Sequence, residues 1–133
     1  MSEIVKEIWA VLADVEAFTA QGRLGETRAF AELMYDDDVL LVGEGDTAAV
    51  RGIHQAIARI VGAVDEWGER ARLKFRLTEP VLASGSIFSA MMDAECHPER
   101  QGVQIIRYRL LTVWRRGPRG WRVAQEMYTS GSL

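Results

Sequence analysis

The chain has 133 residues, 48% of them hydrophobic and 26% charged, with a formal net charge of −3. That profile fits one soluble globular domain over residues 1–133, large enough to bury a core without disulfides or a structural metal. The single Cys96 excludes an internal disulfide framework and any multi-cysteine metal motif, and no apolar run reaches the roughly 18 residues of a membrane-spanning helix. The acidic N-terminal stretch Met1–Glu7 does not read as a signal peptide, so a cytoplasmic protein with no membrane partner is expected. Charge is unevenly spread. Residues 1–69 carry 14 acids against 5 bases, and residues 100–133 carry 7 bases against 1 acid.

Ile4, Ile8, Val11, Leu12, Val15 and Phe18 recur at three- and four-residue steps, which predicts a first helix capped by Ser2 and stopped at Gly22. Phe30, Leu33 and Met34 form the stripe of a shorter second helix with Thr27 as its cap. It ends against Tyr35-Asp36-Asp37-Asp38, since acids at the negative end of a helix dipole disfavour continuation. Val39–Val42 is a short continuous apolar run and reads as a buried strand. A third helix follows Gly52, with Ile53, Ala56, Ile57, Ile60, Val64 and Trp67 on one side and Gly68 at its end.

From there the period becomes two. Leu73, Phe75 and Leu77 alternate with Arg72, Lys74 and Arg76, and Pro80 interrupts the run. Strands are expected over 86–96, 103–116 and 121–129, joined by His97–Gly102 and by the turn Gly117-Pro118-Arg119-Gly120. The fold class is therefore α+β: three N-terminal helices on a strongly curved, mostly antiparallel sheet.

Three strings in this order carry a resemblance: Phe30-Ala31-Glu32-Leu33-Met34-Tyr35-Asp36-Asp37-Asp38-Val39, then Gly52-Ile53-His54-Gln55-Ala56-Ile57, then Leu111-Thr112-Val113-Trp114-Arg115-Arg116 with Gly120-Trp121-Arg122-Val123. Over nearly its whole length the chain resembles the nuclear-transport-factor-like cone fold, in particular its SnoaL-like and ketosteroid-isomerase-like members. The resemblance implies a conical internal cavity, and commonly a homodimer joined through the outer sheet face. It does not imply one function. In ketosteroid isomerases a base aspartate follows the first strand, and a second, protonated aspartate helps hold the oxyanion. Those positions fall on Gly43 and Thr112 here, so both acids are missing. An epoxide hydrolase of this fold needs an arginine and an aspartate two apart on a strand, where this chain has Arg107 and Arg109.

Strand parity places Ile106, Tyr108, Leu110, Thr112 and Trp114 on the helix side of their strand. For the last strand, the resemblance turns Val123, Gln125, Met127 and Thr129 inward and Glu126 and Tyr128 outward. The expected ligand-binding residues are Trp9, Tyr35, Trp67, Tyr108, Thr112, Trp114, Gln125 and Met127, around an apolar or aromatic small molecule. Tyr108 and Asp93 are the candidates for acid–base chemistry, Asp93 only if the odd positions of its strand face inward. The three successive aspartates lack the spaced ligands of a calcium loop, and neither metal nor cofactor is expected. Arg107 and Arg109, with Glu126 and Tyr128, are expected at a homodimer interface rather than on nucleic acid, because the chain as a whole is acidic. With both acids absent, a ligand-binding or dimerisation module is favoured. The alternative is an isomerase or cyclase moving a proton on a polyketide-like or steroid-like carbonyl compound.

Overall fold

A computed structural model describes residues 2–100 and 102–131. Its elements in order are α1 (Glu3–Ala20), α2 (Thr27–Met34), β1 (Tyr35–Gly43), β2 (Val50–Arg51), α3 (Gly52–Trp67), β3 (Arg72–Ser84), β4 (Ile87–His97), β5 (Ile106–Gly117) and β6 (Gly120–Ser130). The strands form one curved, unclosed sheet in the order β2-β1-β6-β5-β4-β3. Only the β1–β6 pair is parallel. The architecture is α+β, three helices on a mixed, mostly antiparallel sheet.

Each helix follows from its apolar spacing. Ser2 accepts a hydrogen bond from the Val5 amide and starts α1, and Ile8, Leu12 and Val15 are buried along one stripe. The α2 helix begins at Thr27 itself and has no side-chain cap, its first residues following from Glu26. Gly68, at φ 96°, closes α3 in a conformation that a side chain disfavours.

The first strand is longer than the apolar run alone suggests. All three aspartates belong to β1, and basic side chains of the β5–β6 hairpin pair with the first two: Arg115 Nε donates to Asp36 at 3.0 Å and Arg119 Nη2 to Asp37 at 2.9 Å. Arg116 likewise reaches Glu7 of α1 at 2.5 Å. Much of the charge asymmetry along the chain is thus closed within one molecule. Pro80 does not end its strand. β3 is the sheet's edge, where a missing N–H is tolerated, and the register with β4 slips on either side of it. Further along that edge α1 supplies acceptors: Glu16 takes the Phe75 amide at 2.6 Å and Thr19 the Leu73 amide at 3.0 Å. β5 begins at Ile106, and Val103 and Ile105 before it are exposed.

The last strand departs from simple alternation. Trp114 pairs with Val123 but Val113 pairs with Gln125, so Ala124 is an extra residue, a β-bulge. Before it Trp121 and Val123 point into the core; after it the inward side chains are Glu126 and Tyr128, while Gln125 and Met127 face solvent. The expected parity is reversed from residue 125 onward, because one inserted residue turns every later side chain to the other face.

Candidate functional site

Between α2, α3 and the inner face of the sheet lies a cavity of about 320 Å³. That is near the lower end of the roughly 300–1,000 Å³ of small-molecule pockets. Its wall is mainly apolar, including Phe30 and Met34 of α2, Ile60 of α3, Phe75 of β3 and Leu110 of β5.

The polar groups gather where β6 runs beside β1. Leu41 is level with Glu126 and Gly43 with Tyr128, so both β6 side chains lie over the end of β1. Glu126 is 8% exposed, and no described residue donates a hydrogen bond or forms an ion pair with its carboxyl. Burial pushes its pKa up to about 7, opposed by the charge of Arg59. Tyr35, at the start of β1, shares the wall, and burial followed by the nearby Glu126 raises its phenol well above the ordinary value. Arg59 Nη1 donates to the Tyr128 hydroxyl at 2.5 Å, and Nη2 donates to Asp46 at 2.8 Å. Burial raises the Tyr128 phenol too, with Arg59 pulling the other way.

Tyr128 meets Tyr108 edge to face at 5.6 Å, and Tyr108 meets Trp67 at 6.2 Å, so an aromatic wall runs from the charged pole to the end of α3. The Trp67 indole N–H is buried without a hydrogen-bond partner among the described residues. Cys96 also lines the cavity, but burial drives its thiol up to about 12, which removes it as a nucleophile near neutral pH.

Gly43 has a steric reason to be glycine. A Cβ there would overlap the Tyr128 ring at Cζ and the hydroxyl. The place where the resemblance expects a base aspartate is thus filled by a phenol from β6. Gly43→Ala is expected to cost about 1–3 kcal/mol by displacing that ring. Urea denaturation should show the loss, and a double-mutant cycle with Tyr128→Ala should abolish most of it.

Of the residues anticipated around a ligand, Tyr35, Trp67 and Tyr108 come together on this wall. The other five are elsewhere. Trp9 packs against the core from α1. Thr112 and Trp114 are wholly buried on β5, the indole N–H donating to the Thr112 oxygen at 3.0 Å and the threonine hydroxyl to Ala90 O at 3.0 Å. Gln125 and Met127 are on the opposite face of the sheet because of the Ala124 bulge. Asp93 is also on that face, since the even residues of β4 point inward; it is buried there in an ion pair with Arg76. Arg107 and Arg109 are on the outer face as expected, Arg107 3.3 Å from Glu95 and Arg109 hydrogen-bonded to Thr129 at 2.9 Å. Glu126 and Tyr128, expected beside them, point into the cavity.

The sequence does hold a signal for the residues that were missed. Glu126 is the only acid after Glu99, and Arg59 follows Ala56 and precedes Ala63 at helical spacing on the cavity side of α3. A charge among apolar neighbours becomes informative once the fold is seen to bury it.

No protein-family model matches the chain, and no curated protein sequence does. Solved structures do match. A ketosteroid isomerase-like protein from Erwinia carotovora atroseptica is 20% identical with a TM-score of 0.67, covering 100% of both chains. An NTF2-like protein of unknown function from Shewanella oneidensis is 12% identical, TM-score 0.73, over 94% of this chain and 98% of that one. An NTF2-like protein with a cystatin-like fold from Novosphingobium aromaticivorans is 20% identical, TM-score 0.66, over 96% and 83%. Identities this low speak to architecture alone. The chain has the cystatin-like, nuclear-transport-factor-like fold that its sequence resembles, the fold shared by ketosteroid isomerase-like proteins.

Proposed function

We propose that this protein binds a small carbonyl compound in the cavity and moves a proton between two of its carbon atoms, with Glu126 as the proton carrier. The observation that supports this reading is a buried carboxyl with no hydrogen-bond partner among the described residues, on the wall of an apolar cavity. A general acid or base works best with a pKa near the working pH, and burial has brought Glu126 to about 7. As a carboxylate it takes a proton from the carbon next to the carbonyl, leaving an enolate; as the acid so formed it returns that proton to a second carbon. The charge that grows on the carbonyl oxygen is met by phenol O–H groups, with Tyr128 and Tyr35 on the same wall. This chemistry uses β6 in place of the acids missing at Gly43 and Thr112.

The test is α-proton exchange into D₂O of a bicyclic ketone such as 2-tetralone, followed by NMR near neutral pH. Exchange well above the buffer rate, lost in Glu126→Gln, supports proton transfer. Binding of the ketone seen by tryptophan fluorescence, with exchange no faster than in buffer, would leave a ligand-binding module and sink the catalytic reading.

The assembly that fits is a homodimer through the outer sheet face. Val42, Met127, Leu111 and Met91 are level with one another across β1, β6, β5 and β4, with Leu111 44% and Met127 55% exposed. Arg107, Arg109, Asp93 and Glu95 border this row with charges of both signs, which suits a self-complementary contact between two copies. Leu111→Arg should convert the dimer to a monomer on a sizing column with little change in melting temperature. An unchanged elution volume would place the contact elsewhere.

A further inference from the structure

Arg59 is an unusual member of the cavity wall. Its side chain is 28% exposed, so solvent is within its reach, and an arginine gains both conformational freedom and hydration by extending outward. Two contacts hold it in. One is the Tyr128 hydroxyl; the other is Asp46, itself 18% exposed. Asp46 is anchored in turn. The same oxygen that receives Arg59 also accepts the Gly43 amide at 2.6 Å, and the Asp46 amide donates to Gly43 O at 3.0 Å. The guanidinium is thereby tied to the end of β1, where Gly43 leaves the space that the Tyr128 ring occupies.

The consequences differ for the two β6 side chains. The Tyr128 oxygen accepts from Arg59, and no described residue accepts the phenol's own proton, which is therefore available to a ligand in the cavity. Glu126 has no ion pair with Arg59 within 4 Å, so the cation acts on it through space alone. The other titratable groups on the cavity wall are Tyr35 on β1, Glu66 on α3, Cys96 on β4, Tyr108 on β5 and Tyr128 on β6, of which Tyr35 and Tyr128 feel the charge of Glu126, while α2 and β3 contribute apolar side chains. Arg59 is the only cation among the described residues of this wall.

We propose that Asp46 and Arg59 are positioning residues: Asp46 holds the guanidinium against Tyr128, and so sets both the direction of the Tyr128 O–H and the positive charge that faces Glu126. The proposal rests on the reading of Glu126 as proton carrier, and goes beyond it by assigning how that carboxyl is tuned. Asp46 touches no ligand in this scheme; it works through Arg59.

The experiment is a carbon-13 NMR titration of the full chain, with glutamate labelled at the side-chain carboxyl and tyrosine at Cζ. The Glu126 and Tyr128 signals are identified by their loss in Glu126→Gln and Tyr128→Phe. Arg59→Gln should move the Glu126 midpoint upward by about one pH unit or more, since a neighbouring cation favours the carboxylate. Asp46→Ala should move it the same way although it removes a negative charge, because the freed Arg59 leaves the wall. The Tyr128 Cζ signal should shift in both variants. Asp46→Asn, which keeps an acceptor for Arg59, should restore that signal, and the Asp46→Ala, Arg59→Gln double variant should be no further displaced than Arg59→Gln.

If Asp46→Ala leaves the Glu126 midpoint in place or lowers it, Arg59 does not depend on Asp46 and the proposal is overturned. Arg59→Lys keeps the charge with less hydrogen bonding and serves if Arg59→Gln does not fold; it should retain the wild-type midpoint while losing the Tyr128 signature. The wild-type midpoint tests the proton-carrier reading separately. A midpoint at the ordinary value of 4.5 would overturn that reading, whereas the direction of the variants' shifts still decides the role of Asp46 and Arg59.

Discussion

Glu126→Gln is expected to reduce α-proton exchange by about 10²–10⁴-fold, the usual contribution of a positioned acid–base group. It should also change how stability depends on pH. A carboxyl with an ordinary value of 4.5 is held at about 7 in the folded protein. Below pH 4.5 both folded and unfolded chains carry the proton, and burial costs nothing through ionisation. Between 4.5 and 7 the unfolded chain releases its proton and the folded one keeps it, so stability falls as pH rises. Above 7 the folded state holds a buried carboxylate, and the loss levels off at about 3 kcal/mol, set by the difference in proton affinity between the two states. The glutamine variant has no such proton. Its stability relative to the wild type should therefore rise between pH 5 and pH 8, on top of a constant offset from burying the amide. Urea titrations across that range measure the slope. A difference independent of pH would mean that Glu126 ionises as it does in solution.

Thr112→Asp should be among the most damaging single substitutions on the inner face of the sheet, even though it supplies an acid where the resemblance to ketosteroid isomerases expects one. Thr112 has no solvent exposure, and its oxygen both donates to Ala90 O and accepts from the Trp114 indole. An aspartate there brings a carboxylate against a carbonyl oxygen, away from the cavity. The expected cost is about 3–5 kcal/mol, comparable to leaving a buried charge uncompensated, and a fall in melting temperature on the order of 10 °C or more. Part of this should return in acid, because the protonated carboxyl can donate to Ala90 as the threonine does. Thr112→Val removes the same hydrogen bonds without a charge and should cost about 1–3 kcal/mol. A loss below about 1 kcal/mol for the aspartate, by thermal or urea denaturation, would mean that water reaches this position.

The two substitutions address how far a site can be carried from a resemblance to a particular chain. The order of elements and the inward face of β5 were legible, because apolar spacing of 3.6 or 2 is a direct record of which side of an element is buried. Tyr35, Trp67 and Tyr108 were legible for the same reason, as large amphipathic side chains on those faces. Thr112 and Trp114 also lie on the inner face of β5, but alternation cannot tell a cavity wall from closed core. What separates them from Tyr108 is depth along the strand, and that depends on the helices packed above.

Glu126 shows a sharper limit. Its orientation turns on the single extra residue Ala124, and nothing in Val123-Ala124-Gln125-Glu126-Met127-Tyr128 marks a bulge. Read with plain alternation, Glu126 and Tyr128 belong outside; with the bulge they form the polar end of the cavity. Arg59 and Asp46 are 13 residues apart and 69 and 82 residues from Tyr128, and their meeting depends on α3 crossing the end of β1.

By itself the sequence determined the α+β architecture, the segregation of acids from arginines and the absence of acids at Gly43 and Thr112, since each is a matter of local pattern or residue identity. Only the tertiary structure decided where the Glu126 carboxyl stands and what surrounds it. The reason is that a one-residue register shift leaves composition and hydropathy unchanged yet reverses every side chain beyond it, and the proton affinity of a carboxyl depends on neighbours that the fold alone brings near.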